Sequence, residues 1–206
     1  MNTKKFFRTV LFSFLFFILL SAAAAAQAGS PTEQVKQTVD KVLEILRSPQ
    51  FKGPEKTAER RAAIHKIADP RFDYEEMAKR SLALYWRQRT PEERKEFVPL
   101  YRDLLERAYI RKIEKYTDEK IVYTGENIDG GYATVRTKVI RKEGTEIPID
   151  YKLMNENGQW KVYDVVVEGV SLVNNYRTQF NQIIRSSSYE ELVRKLKAKA
   201  EFKEPK

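Results

Sequence analysis

Apolar residues recur at helical spacing through the first half of this 206-residue chain, then switch to alternation near Lys120. That change of period limits the fold more than any other feature, because a 3.6-residue stripe and a two-residue alternation bury different surfaces. Ser30-Pro31-Thr32-Glu33 reads as a capping box with proline at the first helical position. Val35, Val39, Val42, Leu43 and Leu46 then form one stripe up to about Arg47. Ser48-Pro49 and Gly53-Pro54 end that helix and restart a second, running to about Ala68. A third, shorter helix opens at Asp73 and carries Met77, Leu82 and Leu84. Thr90-Pro91-Glu92-Glu93 opens a long fourth helix with Phe97, Tyr101, Leu104, Leu105 and Ala108 on one side. Pro99 lies inside it and is expected to kink it.

After Lys120, Asp129-Gly130 and Asn157-Gly158 each stand between β-rich runs and read as hairpin turns. A break near Lys142-Glu143-Gly144 completes a four-stranded antiparallel meander. Pairing outward from Asn157-Gly158 places Leu153 opposite Val162, Tyr151 opposite Asp164 and Ile149 opposite Val166. Ile147, Ile149, Tyr151, Leu153, Val162 and Val166 then share one face, with Asp164 and Glu168 projecting beside them. The other face takes Asp150, Lys152, Tyr163, Val165 and Val167. A helix after Gly169 carries Val173, Tyr176, Phe180 and Ile183-Ile184, and Ser188 caps a last one with Leu192, Val193 and Leu196. The expected architecture is one α+β domain, a four-stranded meander with helices packed around it.

The N-terminus stands apart from this pattern. Lys4, Lys5 and Arg8 precede an apolar run from Val10 to Leu20, and Ala26-Gln27-Ala28 fits a cleavage site. Residues 1–28 read as an export signal, residues 29–196 as the domain, and residues 197–206 as a frayed or disordered tail. The apolar run is about half the length of a membrane-spanning helix. Removing the n-region leaves a net charge of +6, which suits anionic membranes or acidic partners more than nucleic acid in an exported protein. Basic residues alternate with acids along the helices, as in Glu92-Glu93-Arg94-Lys95-Glu96, which is the pattern of a solvated face. Without cysteines, the fold has no disulfide to rely on.

The inventory for catalysis is thin. His65 is the one histidine, and no cysteine, G-x-S-x-G motif, P-loop or dinucleotide glycine fingerprint accompanies it. That set implies no metal site, no cofactor and no catalytic residues. Asp164 and Glu168 could form an acid/base pair, but roughly 13 Å separates Cα atoms four residues apart on a strand, wider than paired carboxylates want. Salt bridges from Asp164 or Glu168 to Arg136 or Arg177 are an equal alternative. What remains is apolar surface, and the pattern alone leaves open whether it fills a core or walls a cavity.

Trp160-Lys161-Val162-Tyr163-Asp164-Val165-Val166-Val167-Glu168-Gly169-Val170-Ser171-Leu172-Val173, running into Asn175-Tyr176-Arg177-Thr178-Gln179-Phe180, resembles the signature of the MlaC family. These are also called toluene-tolerance or organic-solvent-tolerance auxiliary proteins. Upstream, Arg71-Phe72-Asp73-Tyr74, Trp86 and Thr90-Pro91-Glu92-Glu93 extend the resemblance over nearly all of the chain after residue 28. It departs at Ala83-Leu84-Tyr85, where many members have a glycine before the tryptophan, and at Pro99. The resemblance implies a curved NTF2/cystatin-like sheet and a non-enzymatic, periplasmic, monomeric carrier with phospholipid as cargo. It further implies exchange with an outer-membrane lipoprotein complex and with an inner-membrane ABC transporter containing an MCE-domain protein. On that reading Tyr101, Leu104, Val135, Val139, Ile149, Tyr151, Leu153, Val162, Val166, Val173, Tyr176 and Phe180 line the acyl chains. Tyr176 and Arg177 are the candidates beside the headgroup, since a phenol and a guanidinium suit a phosphate. The competing reading is a periplasmic adaptor or chaperone-like module with a filled core; an enzyme with a polar pocket around Asp164 comes third.

Overall fold

The computed structural model describes residues 29–116, 119–199 and 202, so the expected export signal lies outside the described residues. Seven helices and five strands follow in the order α1 (Pro31–Arg47), α2 (Thr57–Ala68), α3 (Tyr74–Leu82), α4 (Leu84–Arg87), α5 (Pro91–Glu114), β1 (Lys120–Asp129), β2 (Tyr132–Ile140), β3 (Glu146–Glu156), β4 (Gln159–Val167), β5 (Val170–Ser171), α6 (Leu172–Ser186) and α7 (Tyr189–Lys197) among those residues. Both capping boxes form: Ser30 with Glu33 opens α1, and Thr90 with Glu93 opens α5. Helix α5 runs unbroken through Pro99.

The sheet is a meander in the order β1-β2-β3-β4-β5, with five strands where the sequence predicts four. The extra strand arises because Glu168 (φ 51°) and Gly169 (φ 84°) turn the chain back on itself, so that Val170 and Ser171 pair with Val167 and Val166. Asn157 and Gly158 both have positive φ, the conformation of the expected two-residue turn, and Leu153 pairs with Val162 as predicted. The β1–β2 turn is made by Gly130-Gly131 rather than Asp129-Gly130, since Asp129 pairs directly with Tyr132.

The predicted faces hold only to Leu153. Between Lys152 and Leu153 the register shifts by one residue on β4, so Tyr151 pairs with Val165, Lys152 with Asp164, Asp150 with Val166 and Ile149 with Val167. A bulge of one residue exchanges the faces of everything beyond it. Val165 and Val167 therefore join Tyr151, while Val166 and Asp164 lie on the opposite face with Asp150 and Lys152. This corrects the predicted placement of Val166 and Asp164 beside Tyr151.

Two apolar cores result. Helix α1 lies against β1 and β2, and Val35 and Val39 pack with Ala133, Val135, Leu153, Trp160 and Val162. The second core is helical, where α3, α5, α6 and α7 enclose Phe97, Tyr101, Tyr176 and Phe180, all at 0% exposure. Phe97 and Tyr101 stack at 6.2 Å, and the other rings meet edge-on or tilted, as in Phe97–Phe180 at 5.8 Å and Tyr101–Tyr176 at 5.8 Å. Phe72 packs against both cores and bridges to Val162 alongside β4, with Asp73 N–H donating to the Val162 carbonyl at 2.9 Å. Phe202, from the segment expected to fray, packs on Phe180 at 5.7 Å. The third predicted helix breaks after Leu82: Ala83 adopts φ 50° and ψ −119°, and Leu84 emerges 75% exposed rather than on an apolar stripe.

Candidate functional site

The specific segment from Trp160 to Phe180 serves first as a junction between sheet and helix. Asp164, 5% exposed, accepts from the Ser171 hydroxyl at 2.6 Å and from the Val173 backbone N–H at 3.1 Å. Ser171 Oγ in turn accepts from Asn174 N–H at 3.0 Å, capping α6. The carboxylate thus satisfies donors at a helix start, where four backbone N–H groups lack partners and the helix dipole favours a negative charge. Its role is to fasten α6 to β4, and Glu168 is exposed at the turn rather than beside it. A second junction escaped the sequence reading. Arg71 donates to Gln34 Oε1 at 2.6 Å, Thr38 Oγ1 at 3.2 Å and the Trp160 carbonyl at 2.8 Å, while Trp160 N–H donates to Gln34 Oε1 at 3.0 Å. This ties α1 to the β3–β4 hairpin. Only the run Arg71-Phe72-Asp73-Tyr74 marked the place, without its reason.

The twelve residues expected against acyl chains divide into three groups and one outlier. Tyr101, Leu104, Val173, Tyr176 and Phe180 belong to the helical core, and Val135, Leu153 and Val162 to the core under α1. Val139, Ile149 and Tyr151 share the α1-facing side of the sheet, opposite Ile147, Thr137 and Val135, and stay only half-buried. Val166 stands on the other face. Tyr176 sits at 0% exposure inside the aromatic cluster rather than at an opening, and Arg177 is exposed with its guanidinium on Asn174. The structure therefore separates the two headgroup candidates.

The α1-facing side also carries Val139, Ile147, Ile149, Tyr151 and Tyr123, all half-buried, of which Tyr123 and Tyr151 pack against the core under α1. The Tyr123 hydroxyl is buried without a hydrogen-bond partner among the described residues. Burial raises its pKa, and the neighbouring Tyr151, Asp40 and Tyr116 add to the rise. Burial also pushes the Tyr151 phenol up to about 12. Both phenols stay neutral at any physiological pH, so they add hydrogen-bonding capacity to an apolar wall without adding charge.

Helix α2 faces the C-terminal half of α5 across a polar seam. Arg60 Nε and Nη2 reach Glu114 at 3.0 and 2.8 Å, and Arg61 Nη2 reaches its other oxygen at 2.8 Å. The two guanidinium groups hold the Glu114 carboxyl below its ordinary pKa, Arg61 most strongly. Arg60 Nη1 also donates to the Phe51 carbonyl at 2.8 Å. Further along, His65 lies 2.8 Å from Glu106 and 3.3 Å from Asp69, and Arg102 pairs with Asp69. Ile64 and Ile110, between these contacts in sequence, are 3% and 5% exposed. At the seam's outer end, a cleft of about 280 Å³ is lined by Leu46, Phe51, Lys52, Gly53, Pro54, Arg60 and Glu114. His65 is thus engaged by carboxylates, and no group of three metal-binding side chains occurs among the described residues.

A family model described as "MlaC protein" matches residues 36–198. The "Intermembrane phospholipid transport system binding protein MlaC" of Haemophilus influenzae is 24% identical over 202 residues, 96% of this chain and 94% of that protein. The "Toluene tolerance protein ttg2D" of Pseudomonas putida is 28% identical over 166 residues, 80% and 75% of the respective lengths. Among solved structures, a phospholipid-binding protein from Ralstonia solanacearum in complex with a phospholipid matches with a TM-score of 0.73. That match is at 24% identity and covers 82% of this chain and 96% of the other. It shows the same fold.

Proposed function

The chain belongs to the MlaC family, and from that membership we propose that it is a non-enzymatic carrier that holds a phospholipid by its acyl chains. One observation carries the reading: the half-buried Val139, Ile147 and Ile149 continue an apolar sheet face past the core under α1, beyond Tyr151 and the buried, unpartnered Tyr123 hydroxyl. An apolar face that is neither filled nor left to water suits an aliphatic guest. The relatives' names point the same way, toward phospholipid binding and transport between membranes.

Physics sets what such a carrier must do. Each methylene removed from water is worth about 0.8 kcal/mol, so two chains of about 30 carbons in all would cost on the order of 20 kcal/mol to expose. The guest must be enclosed during transit, and release needs a receiving surface rather than escape into water. On this reading residues 1–28 direct export to the periplasm, where the protein exchanges cargo between an outer-membrane lipoprotein complex and an inner-membrane ABC transporter with an MCE-domain subunit. It acts as a monomer without a cofactor.

The test is to purify the exported protein without detergent, extract it with organic solvent and identify lipids by mass spectrometry. Near-stoichiometric phospholipid is the expected result. A folded protein that comes out empty and takes no lipid from vesicles would overturn the proposal in favour of an adaptor with a filled core.

A further inference from the structure

Helices α4 and α6 build an outer face unlike the other helical faces. The Tyr85 hydroxyl donates to Asn181 Oδ1 at 3.1 Å, fixing α4 against the middle of α6. Asn181 stands between Arg177 and Arg185 at i, i+4 and i+8, so the three share one side of α6 and all are exposed. Arg87 closes α4, and Leu84 projects beside it at 75% exposure. Neither helix contains an acidic residue. On the neighbouring helices α3, α5 and α7 acids stand beside the cations and pair with several of them: Lys79 and Arg80 with Glu76, Arg107 with Asp103, and Arg194 and Lys195 with Glu191. Arg87 and Arg185 make no ion pair among the described residues, and Arg177 meets the neutral Asn174. Of the carboxylates before α6, Asp164 is buried under its start and Glu168 lies at the preceding turn, while beyond it Glu191 is engaged by Arg194 and Lys195.

We propose that the α4–α6 face docks on an anionic lipid surface, with Leu84 entering the headgroup layer between the arginines. The inference rests on the carrier reading, which requires the protein to visit such surfaces. Arg177 and Arg185 lie about 12 Å apart along the helix, wide enough to engage separate headgroups of a planar array. A single exposed leucine, three residues from Arg87 on a short helix tied to α6, matches an interface that rewards charge and shallow apolar insertion. Each arginine contributes about a fivefold gain in binding to an anionic surface. The attachment is therefore weak, salt-sensitive and reversible.

Sedimentation with vesicles of phosphatidylcholine alone, or of an equal mixture with phosphatidylglycerol, tests this at low and high salt. The wild type should bind the mixed vesicles at low salt and ignore the neutral ones. Arg177→Glu with Arg185→Glu should lower that binding by about 25-fold or more. Leu84→Ser should lower it by about tenfold while leaving the salt dependence intact. Melting curves of these surface variants should stay at the wild-type temperature, and Arg177→Gln with Arg185→Gln gives a milder pair if they do not. Equal binding to neutral vesicles, or full binding by the charge-reversed variant, would overturn the proposal and leave the face to an acidic protein. Protein that holds phospholipid but ignores anionic vesicles overturns the docking alone. Protein that docks through this face but never holds phospholipid overturns the carrier reading instead.

Discussion

Helix α5 is held by two kinds of neighbour. Its N-terminal and middle turns sink Phe97, Tyr101, Leu104 and Leu105 among α3, α6 and α7, all four buried and ring against ring. Its C-terminal part reaches α2 through Glu106 and Glu114, whose carboxylates meet His65, Arg60 and Arg61 with 12 to 34% of each side chain exposed. Burying one large apolar side chain is worth about 1.5 to 3 kcal/mol. A partly exposed ion pair is worth about 0 to 1 kcal/mol. The same helix is therefore anchored at one end and only latched at the other. If an acyl chain enters between the sheet and the helices, the α2–α5 seam is where separation costs least.

The contrast is most easily broken in the helical core. Phe180→Ala removes a ring that touches Phe97, Tyr101 and Tyr176, and it should destabilise the protein by about 3 to 5 kcal/mol in urea unfolding. A loss under about 1 kcal/mol would mean this core is as loose as the seam. Asp164→Ala comes next, because it leaves the Val173 N–H and the Ser171 hydroxyl without their shared acceptor in a buried place. Hydrogen bonds to a charged group imply a loss of about 1.5 to 3 kcal/mol. Early hydrogen exchange confined to α6 would show that the damage starts at the junction.

Ala83→Gly sharpens the comparison from the other side. Ala83 holds φ 50° and ψ −119°, a region glycine enters freely and alanine does not. Relief of that strain, less the extra freedom of a glycine in the unfolded chain, should raise stability by about 1 kcal/mol. A melting temperature that falls instead would show that the turn between α3 and α4 is not strained. The family resemblance marked this position, because glycine stands nearby in many members, yet nothing in the alanine itself signalled a break.

How much was legible follows from the same physics. Helix ends were plain where a side chain does the capping, as at Ser30, Thr90 and Ser188, because the capping residues sit at fixed offsets from the stripe. The hairpin at Asn157-Gly158 was plain because both residues must take positive φ. The bulge beyond it was not. Val162, Val165, Val166 and Val167 satisfy either parity, so the alternation could not choose a face for β4 after Tyr163. Asp164 was noticed as chemistry, whereas its use lies in donors that only the folded turn brings within reach. Arg71 and Gln34 are distant in sequence, and neither has an apolar pattern to announce it.

The smallest effect concerns the latch itself. Glu114 has its carboxyl pKa lowered by Arg61 and Arg60, so the folded protein holds the proton less readily than the unfolded chain does. Its contribution is fully present above the unfolded carboxylate value of about 4.3 and is lost as the pH falls through the lower folded value. Between those two points α2 should loosen from α5 while Phe97, Tyr101, Tyr176 and Phe180, packed ring against ring, stay closed. Hydrogen exchange followed by mass spectrometry on stepwise acidification should therefore show residues 57–68 losing protection before residues 172–186. Glu114→Gln should bring that early exchange to neutral pH. If both segments lose protection together at every pH, α2 and α5 form one cooperative unit with the core, and the seam is no easier to open than the rest of the molecule.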